Sequence, residues 1–145
     1  NRQLGETDNL INLKIKNAIK SGLKIIFCIG ESFKDRKAKK TNQILKKQIE
    51  KGLKSIKDKS KIIIAYEPVW SIGTGVIPKE ESLIQTISFI KSRFIKKHPK
   101  ILYGGSVNAN NTVKLKKIPN IDGFLIGGAS QNPKKFIDII KKTII

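Results

Sequence analysis

The sequence predicts a parallel α/β fold. Two hydrophobic periods alternate along its 145 residues. Short apolar runs rich in isoleucine are typical of buried parallel strands, and longer stretches with apolar residues three or four apart are typical of helices. A glycine-bearing loop follows each apolar run. One helix and then four strand-helix repeats is the order expected of a parallel sheet with helical crossovers.

Four strands and five helices are predicted. The strands span residues 23–29, 61–66, 101–103 and 124–126. The helices begin near Thr7, Thr41, Pro78, Asn108 and Asn132. Thr7 is a suitable N-cap for the first helix and Gly22 a suitable stop. Pro78 opens the third helix at a position where a missing N–H is tolerated.

Apolar stripes predict which helix faces point inward. The second helix, residues 41–56, carries the stripe Leu45, Ile49, Leu53 and Ile56. The third carries Leu83, Ile87, Ile90 and Phe94. The last carries Phe136, Ile140 and Ile144. Two architectures fit this pattern, an open doubly wound sheet and part of a (β/α)8 barrel. Hydrophobic periodicity does not distinguish these two architectures, so the choice between them depends on the sequences of the loops.

The net charge of +19 raises the possibility of a basic nucleic-acid-binding domain. Arginine, which reads phosphates and bases through two parallel hydrogen bonds, occurs only at Arg2, Arg36 and Arg93. The aromatic residues Tyr66 and Trp70 lie in a strand-end motif and do not alternate with basic runs as stacking platforms do. We therefore expect a solvated lysine coat and no nucleic-acid partner, with nucleic-acid binding kept as a second alternative.

The single cysteine, Cys28, excludes an intrachain disulfide and fits a reducing, cytoplasmic location. Its apolar neighbours on both sides predict a buried, unreactive thiol. No apolar run reaches the roughly 18 residues that a membrane helix needs, so we expect no membrane partner.

Residues 65–75, with the sequence AYEPVWSIGTG, hold the most informative carboxylate. Glu67 leaves the end of an apolar strand, where partial desolvation makes a carboxylate a better base. The glycines at 73 and 75 allow a bend and bring backbone N–H groups close to an anion. The alternative is a strand-terminal Glu that only caps the following loop.

This segment closely resembles the catalytic strand and mobile lid of triosephosphate isomerases. Four further motifs occur in the family's order. They are GETD at 5–8, which resembles the opening of the fourth helix, CIGE at 28–31 in the fifth strand, YGGSV at 103–107 after the seventh, and GFLIGGAS at 123–130 around the eighth. The resemblance implies an incomplete (β/α)8 TIM barrel comprising about strands 5–8 with their helices plus the fourth helix. Residues 1–145 would be the C-terminal portion of a single TIM-barrel domain.

The resemblance also implies roles. Glu67 would be the catalytic base that interconverts glyceraldehyde 3-phosphate and dihydroxyacetone phosphate in glycolysis and gluconeogenesis. The substrate phosphate would be bound by Gly73, Ser106, Gly127 and Gly128. No metal and no cofactor are expected, and the full-length protein would be a homodimer. We expect Glu31 to support the site or its lid and Arg36 to pair with nearby acids.

Some residues depart from the family's pattern. The family uses a lysine after the first strand and a histidine after the fourth, both upstream of the region matched here. His98 is expected in a solvated loop far from the chemistry, and Lys39 stands where glycine is usual. A catalytically silent half-barrel or pseudoenzyme that binds phosphate or a partner is therefore the first alternative. Four strands leave unpaired edges, so the isolated chain is expected to fold poorly, aggregate or assemble with a complementary half.

Overall fold

The computed structural model describes residues 5–95 and 98–144. Its strands are β1 (Ile25–Ile29), β2 (Ile62–Tyr66), β3 (Ile101–Tyr103) and β4 (Gly123–Phe124). Its helices are α1 (Asp8–Lys20), α2 (Phe33–Lys37), α3 (Thr41–Gly52), α4 (Glu80–Ser92), α5 (Thr112–Leu115) and α6 (Pro133–Ile144). The predicted order of helices and strands is confirmed, with one short helix, α2, added.

The four strands form one parallel sheet in the spatial order β1-β2-β3-β4, the same as their order in the chain. Ile25 pairs with Ile62, and Ile64 pairs with Ile101. A doubly wound sheet reverses its strand order at a switch point, whereas a barrel adds each strand beside the previous one. The sheet is therefore a segment of a (β/α)8 barrel, as the resemblance implies.

The hydrophobic core lies between one face of this sheet and the helices. Phe27, Ile64 and Tyr66 are buried on the strands. The predicted inward stripes of the second and third helices are buried as well, namely Leu45, Ile49, Leu53, Ile56, Leu83, Ile87, Ile90 and Phe94. These apolar side chains belong to one core cluster, so burial of the two stripes is what holds α3 and α4 against the sheet.

The opposite face of β1 is exposed, and the prediction of a buried Cys28 is wrong. Ile26 is 48% exposed and Cys28 is exposed, whereas Phe27 and Ile29 between and after them are buried. Successive side chains of a strand point to opposite faces of the sheet. An apolar sequence run alone does not show which face is covered.

Helix ends follow local signals. Thr7 caps α1 by accepting a hydrogen bond from the N–H of Leu10 at 3.2 Å. Gly22 has a φ of +77° just after that helix. The short α2 opens with a capping box, in which Ser32 and Asp35 each bond the other's backbone N–H. This Ser-x-x-Asp pattern was the available sequence signal for α2.

The inward stripe predicted for the last helix is wrong. In α6 the buried residue is Ile139, while Phe136, Ile140 and Ile144 are 36%, 39% and 78% exposed. The neighbouring strand β4 is only two residues long, so it offers a small surface to cover. Within residues 5–95 and 98–144, no helix is both long and apolar enough to cross a membrane.

Candidate functional site

Glu67 follows β2 directly at the carboxyl edge of the sheet. Its backbone N–H donates to the carbonyl of Ile29 at 2.8 Å, which extends the pairing of β2 with β1 by one residue. Strand alternation directs its half-buried side chain to the face away from the helical core. Glu67 also lines a groove of about 470 Å³ together with Ile26, Cys28, Gly30, Val69 and Ile72.

Two glycines on the neighbouring strands leave room for Glu67. A Cβ at Gly104 would lie 2.7 Å from Cγ and 3.0 Å from Oε1 of Glu67. A Cβ at Gly30 would lie 1.8 Å from the backbone oxygen of Glu67. Real Cβ atoms do not approach this closely, so side chains at either position would push the carboxylate or the strand exit out of place.

The position of Gly30 is held by a buried glutamine on α3. Gln48 accepts a hydrogen bond from the N–H of Gly30 and donates one to its carbonyl, both at 2.9 Å. Gln48 is 7% exposed. Sequence reasoning missed this contact, although a glutamine beside the inward-facing Ile49 was a signal, because buried amides need partners.

Glu31 is a fully buried carboxylate with three kinds of donor. It accepts hydrogen bonds from the Tyr66 hydroxyl at 3.2 Å, from Trp70 Nε1 at 3.1 Å and from Arg36 Nη1 at 3.3 Å. Burial, and then the charge of Glu31, raises the pKa of Tyr66 far above its ordinary range, so this phenol stays a neutral donor. The expected pairing of Arg36 with a nearby acid is confirmed.

This cluster ties the loop after β2 to the body of the sheet. We call residues 68–77 the β2 loop. Its first part contains a 3₁₀ turn, Val69–Ser71. The Arg36 guanidinium lies 5.1 Å from the centroid of the Trp70 ring, and the Phe33 ring lies 6.3 Å from it. The start of the loop is therefore held by the hydrogen bond from Trp70 Nε1 to Glu31 and by the packing of Arg36 and Phe33 against the Trp70 ring.

The tip of the β2 loop is a turn that depends on glycine. Gly73 and Gly75 have φ angles of +71° and +79°. Thr74 Oγ1 lies 3.2 Å from the Trp70 carbonyl, to which it donates, and it accepts from the N–H of Val76 at 3.2 Å. Left-handed backbone at both glycines is favourable only without a Cβ. Gly73 is exposed at this tip, with nothing within 4 Å of its Cβ position.

Ser106 joins the loop after β3 to the β2 loop. Its hydroxyl donates to the Ser71 carbonyl and accepts from the N–H of Gly75 at 3.0 Å. Ser71 in turn donates to the Val76 carbonyl at 2.5 Å, and its oxygen lies 3.2 Å from the Tyr103 hydroxyl. Burial raises the pKa of Tyr103 to about 12. The Ser106 hydroxyl therefore links the first part of the β2 loop, at Ser71, to its tip, at Gly75.

Gly127 and Gly128 lie beyond β4 at the same carboxyl edge. The N–H of Leu125 donates to the Tyr103 carbonyl at 3.0 Å, which carries the pairing past the end of the strand. Both glycines are exposed, and open space surrounds their Cβ positions. The structure therefore brings Glu67 against Gly104 and Ser106 against the β2 loop, and it places the glycine pair at this edge.

His98 lies elsewhere. It precedes β3, at the amino edge of the sheet, and is exposed, with Nδ1 3.1 Å from the Lys91 carbonyl. This agrees with its expected place in a solvated connection. Among residues 5–95 and 98–144, no cluster of three or more His, Cys, Asp or Glu side chains is placed to hold a metal ion.

The chain is similar to known triosephosphate isomerases over almost its whole length. The family model for triosephosphate isomerase matches residues 1–143. Proteins of that name from Thermodesulfovibrio yellowstonii and Mycoplasma mobile are 48% and 47% identical, each over 94% of this chain. One from Chlorobaculum tepidum is 42% identical over 97% of it. The chain spans 58%, 56% and 60% of the lengths of these three relatives. The chain therefore belongs to the triosephosphate isomerase family.

Proposed function

We propose that the protein containing this chain interconverts glyceraldehyde 3-phosphate and dihydroxyacetone phosphate, with Glu67 as the catalytic base. The observation that carries the proposal is the position of Glu67, whose side chain lies against Gly104 at the carboxyl edge of a parallel sheet. Active sites of (β/α)8 barrels lie at that edge. The identity of 40% or more to proteins named triosephosphate isomerase supports the choice of substrate.

In the proposed reaction, Glu67 takes a proton from the carbon next to the substrate carbonyl. The electron pair of that C–H bond forms the enediolate, and the carbonyl oxygen becomes negatively charged. A proton then passes from the hydroxyl on the deprotonated carbon to this negatively charged oxygen, and a proton returns from Glu67 to the former carbonyl carbon. The hydroxyl oxygen becomes the new carbonyl oxygen, so no redox partner is required. Glu67 is half-buried beside the apolar residues Val69 and Ile72 of the groove, where a carboxylate is less solvated than in water.

We propose that Gly73, Ser106, Gly127 and Gly128 bind the substrate phosphate. Exposed glycines let backbone N–H groups approach an anion closely, and the loops after the last two strands of such barrels commonly form a phosphate site. Ser106 already joins its own loop to the tip of the β2 loop, which would cover a bound substrate. The net charge of +19 would attract an anionic substrate.

We further propose that residues 1–145 form the C-terminal portion of one barrel domain. In this proposal the lysine and histidine that polarise the substrate carbonyl come from upstream sequence, and the full-length protein is a cytoplasmic homodimer. No resident metal or cofactor is assigned.

The test is activity of the protein expressed from its complete reading frame, with Glu67→Gln as the variant. Glu67→Gln keeps the size of the side chain and removes the base, so kcat should fall by about 10²- to 10⁴-fold. The control is inhibition by inorganic phosphate, whose inhibition constant should be unchanged. Equal kcat for wild type and variant would exclude Glu67 as the base. An inactive wild type that still binds inorganic phosphate would establish the silent alternative.

A further inference from the structure

The backbone of Ser106 is held in an unusual conformation. Its φ is +42°, a left-handed value that residues with a Cβ rarely adopt. Such a conformation persists where surrounding contacts stabilise it. In this structure the Ser106 carbonyl accepts two side-chain hydrogen bonds, a short one from Asn111 Nδ2 at 2.9 Å and a longer one from Asn108 Nδ2 at 3.4 Å.

Asn111 bonds backbone groups on both sides of Val107, the residue that follows Ser106. Its Nδ2 donates to the Ser106 carbonyl at 2.9 Å, and its Oδ1 accepts from the N–H of Asn108 at 2.9 Å. One amide group therefore supplies a donor and an acceptor to backbone groups two residues apart. The N–H of Asn111 donates to Asn108 Oδ1 at 3.2 Å and to the Asn108 carbonyl at 3.3 Å. Thr112 Oγ1 donates to the same carbonyl at 2.7 Å.

The Ser106 hydroxyl depends on this backbone conformation for its direction. It donates to the Ser71 carbonyl in the first part of the β2 loop and accepts from the N–H of Gly75 at the tip. Rotating the backbone of Ser106 out of the left-handed region would swing its Cβ and move the hydroxyl away from both groups. A path of contacts therefore runs from the Asn111 amide to the tip of the loop.

We propose that Asn111 is a positioning residue that controls closure of the β2 loop through Ser106. It does so by keeping Ser106 in the left-handed conformation, in which the hydroxyl bonds both the Ser71 carbonyl and the N–H of Gly75. The part of this proposal that concerns catalysis rests on the proposed isomerase function, since a loop held less firmly would cover the substrate less of the time. The part that concerns the loop itself does not.

The first measurement is amide hydrogen exchange of residues 69–77 in the full-length protein. Asn111→Ala should speed exchange of the Gly75 N–H by about 10-fold, the effect expected for loss of one net hydrogen bond. Asn111→Asp keeps the acceptor for Asn108 but removes the donor to Ser106, so it should speed exchange at least as much. Asn110→Ala is the matched control, because Asn110 donates its backbone N–H to Asn108 Oδ1 at 2.9 Å, and this bond does not need the side chain of Asn110.

The second measurement is steady-state kinetics with a double-mutant cycle. If Asn111 acts through the Ser106 hydroxyl, Asn111→Ala should lower kcat/KM by about 10-fold, and adding it to Ser106→Ala should cause little further loss. Additive losses, or Gly75 exchange as slow in both Asn111 variants as in wild type, would overturn the proposal. An inactive wild type would contradict the isomerase function, and the exchange experiment would still decide the role of Asn111.

Discussion

Gly104 lies directly against the side chain of Glu67, so closely that an added Cβ would stand 2.7 Å from its Cγ. The contact joins the ends of two neighbouring strands, β3 and β2. The contact restricts the position of the Glu67 carboxylate by its close packing alone, and no hydrogen bond from Gly104 is needed. A small change at residue 104 therefore tests how accurately Glu67 must be placed.

With Glu67 as the proposed base, Gly104→Ala should lower kcat on the order of 100-fold, because displacing a reacting group by about 1 Å costs that much. Measurement of kcat in the full-length protein tests this, with the inhibition constant of inorganic phosphate as the control for an intact phosphate site. A weakened phosphate affinity together with an unchanged kcat would mean that Gly104 serves the phosphate site and not the base.

Lys39→Gly should stabilise the protein. Lys39 is exposed and has a φ of +56°, a left-handed conformation that costs a residue with a Cβ about 1 kcal/mol more than glycine. The free energy of unfolding from urea titration should rise by about 1 kcal/mol.

The control is Lys37→Gly, which removes the same charge from the last turn of α2 together with the contact of Lys37 Nζ over the Phe33 ring, 4.7 Å from its centroid. There the backbone is helical, so glycine should lower the free energy of unfolding by up to about 1 kcal/mol. Equal effects of the two substitutions would show that charge removal, and not the backbone of Lys39, determines stability.

Arg36→Ala should destabilise the protein by about 3 kcal/mol, because it leaves the buried Glu31 carboxylate without its cationic partner. It also removes the contact with the Trp70 ring. Chemical denaturation measures the loss. Arg93→Ala is the control. Arg93 is exposed and packs over the Phe89 ring, 5.0 Å from its centroid. A loss no larger than that of Arg93→Ala would show that Tyr66 and Trp70 suffice to stabilise Glu31.

Stability should fall at alkaline pH because of Tyr103. Its pKa is about 12 in the folded protein against 10.0 ordinarily, so between these values the unfolded chain has lost a proton that the folded protein retains. The free energy of unfolding therefore decreases as pH rises from about 10 to about 12, by up to about 2 kcal/mol.

Tyr103→Phe isolates this effect from the titration of the lysines, which both proteins share. Wild type should be the more stable protein at pH 9, through the hydrogen bond to Ser71, and the difference should shrink or reverse by pH 12. A difference in the free energy of unfolding between the two proteins that stays constant from pH 9 to pH 12 would exclude Tyr103 as the titrating group.

The sequence by itself determined the order of the strands and of every helix except α2, the cap at Thr7, the helix stop at Gly22, and the family. These features are written in consecutive residues, as hydrophobic periods, turn residues and short motifs at strand ends. The placement of Glu67 after a buried strand followed from the same local pattern. Local signals sufficed because each depends on residues within one or two turns of chain.

Only the tertiary structure decided which contacts position the site. Gln48 bonds Gly30 across 18 residues of sequence, and Trp70 bonds Glu31 across 39. The exposure of Cys28 and of Ile140 also depended on which surfaces other elements cover, which was why both predictions were wrong. A hydrophobic period shows that a face is apolar, but the neighbour that buries it, or fails to, is set by packing between distant segments.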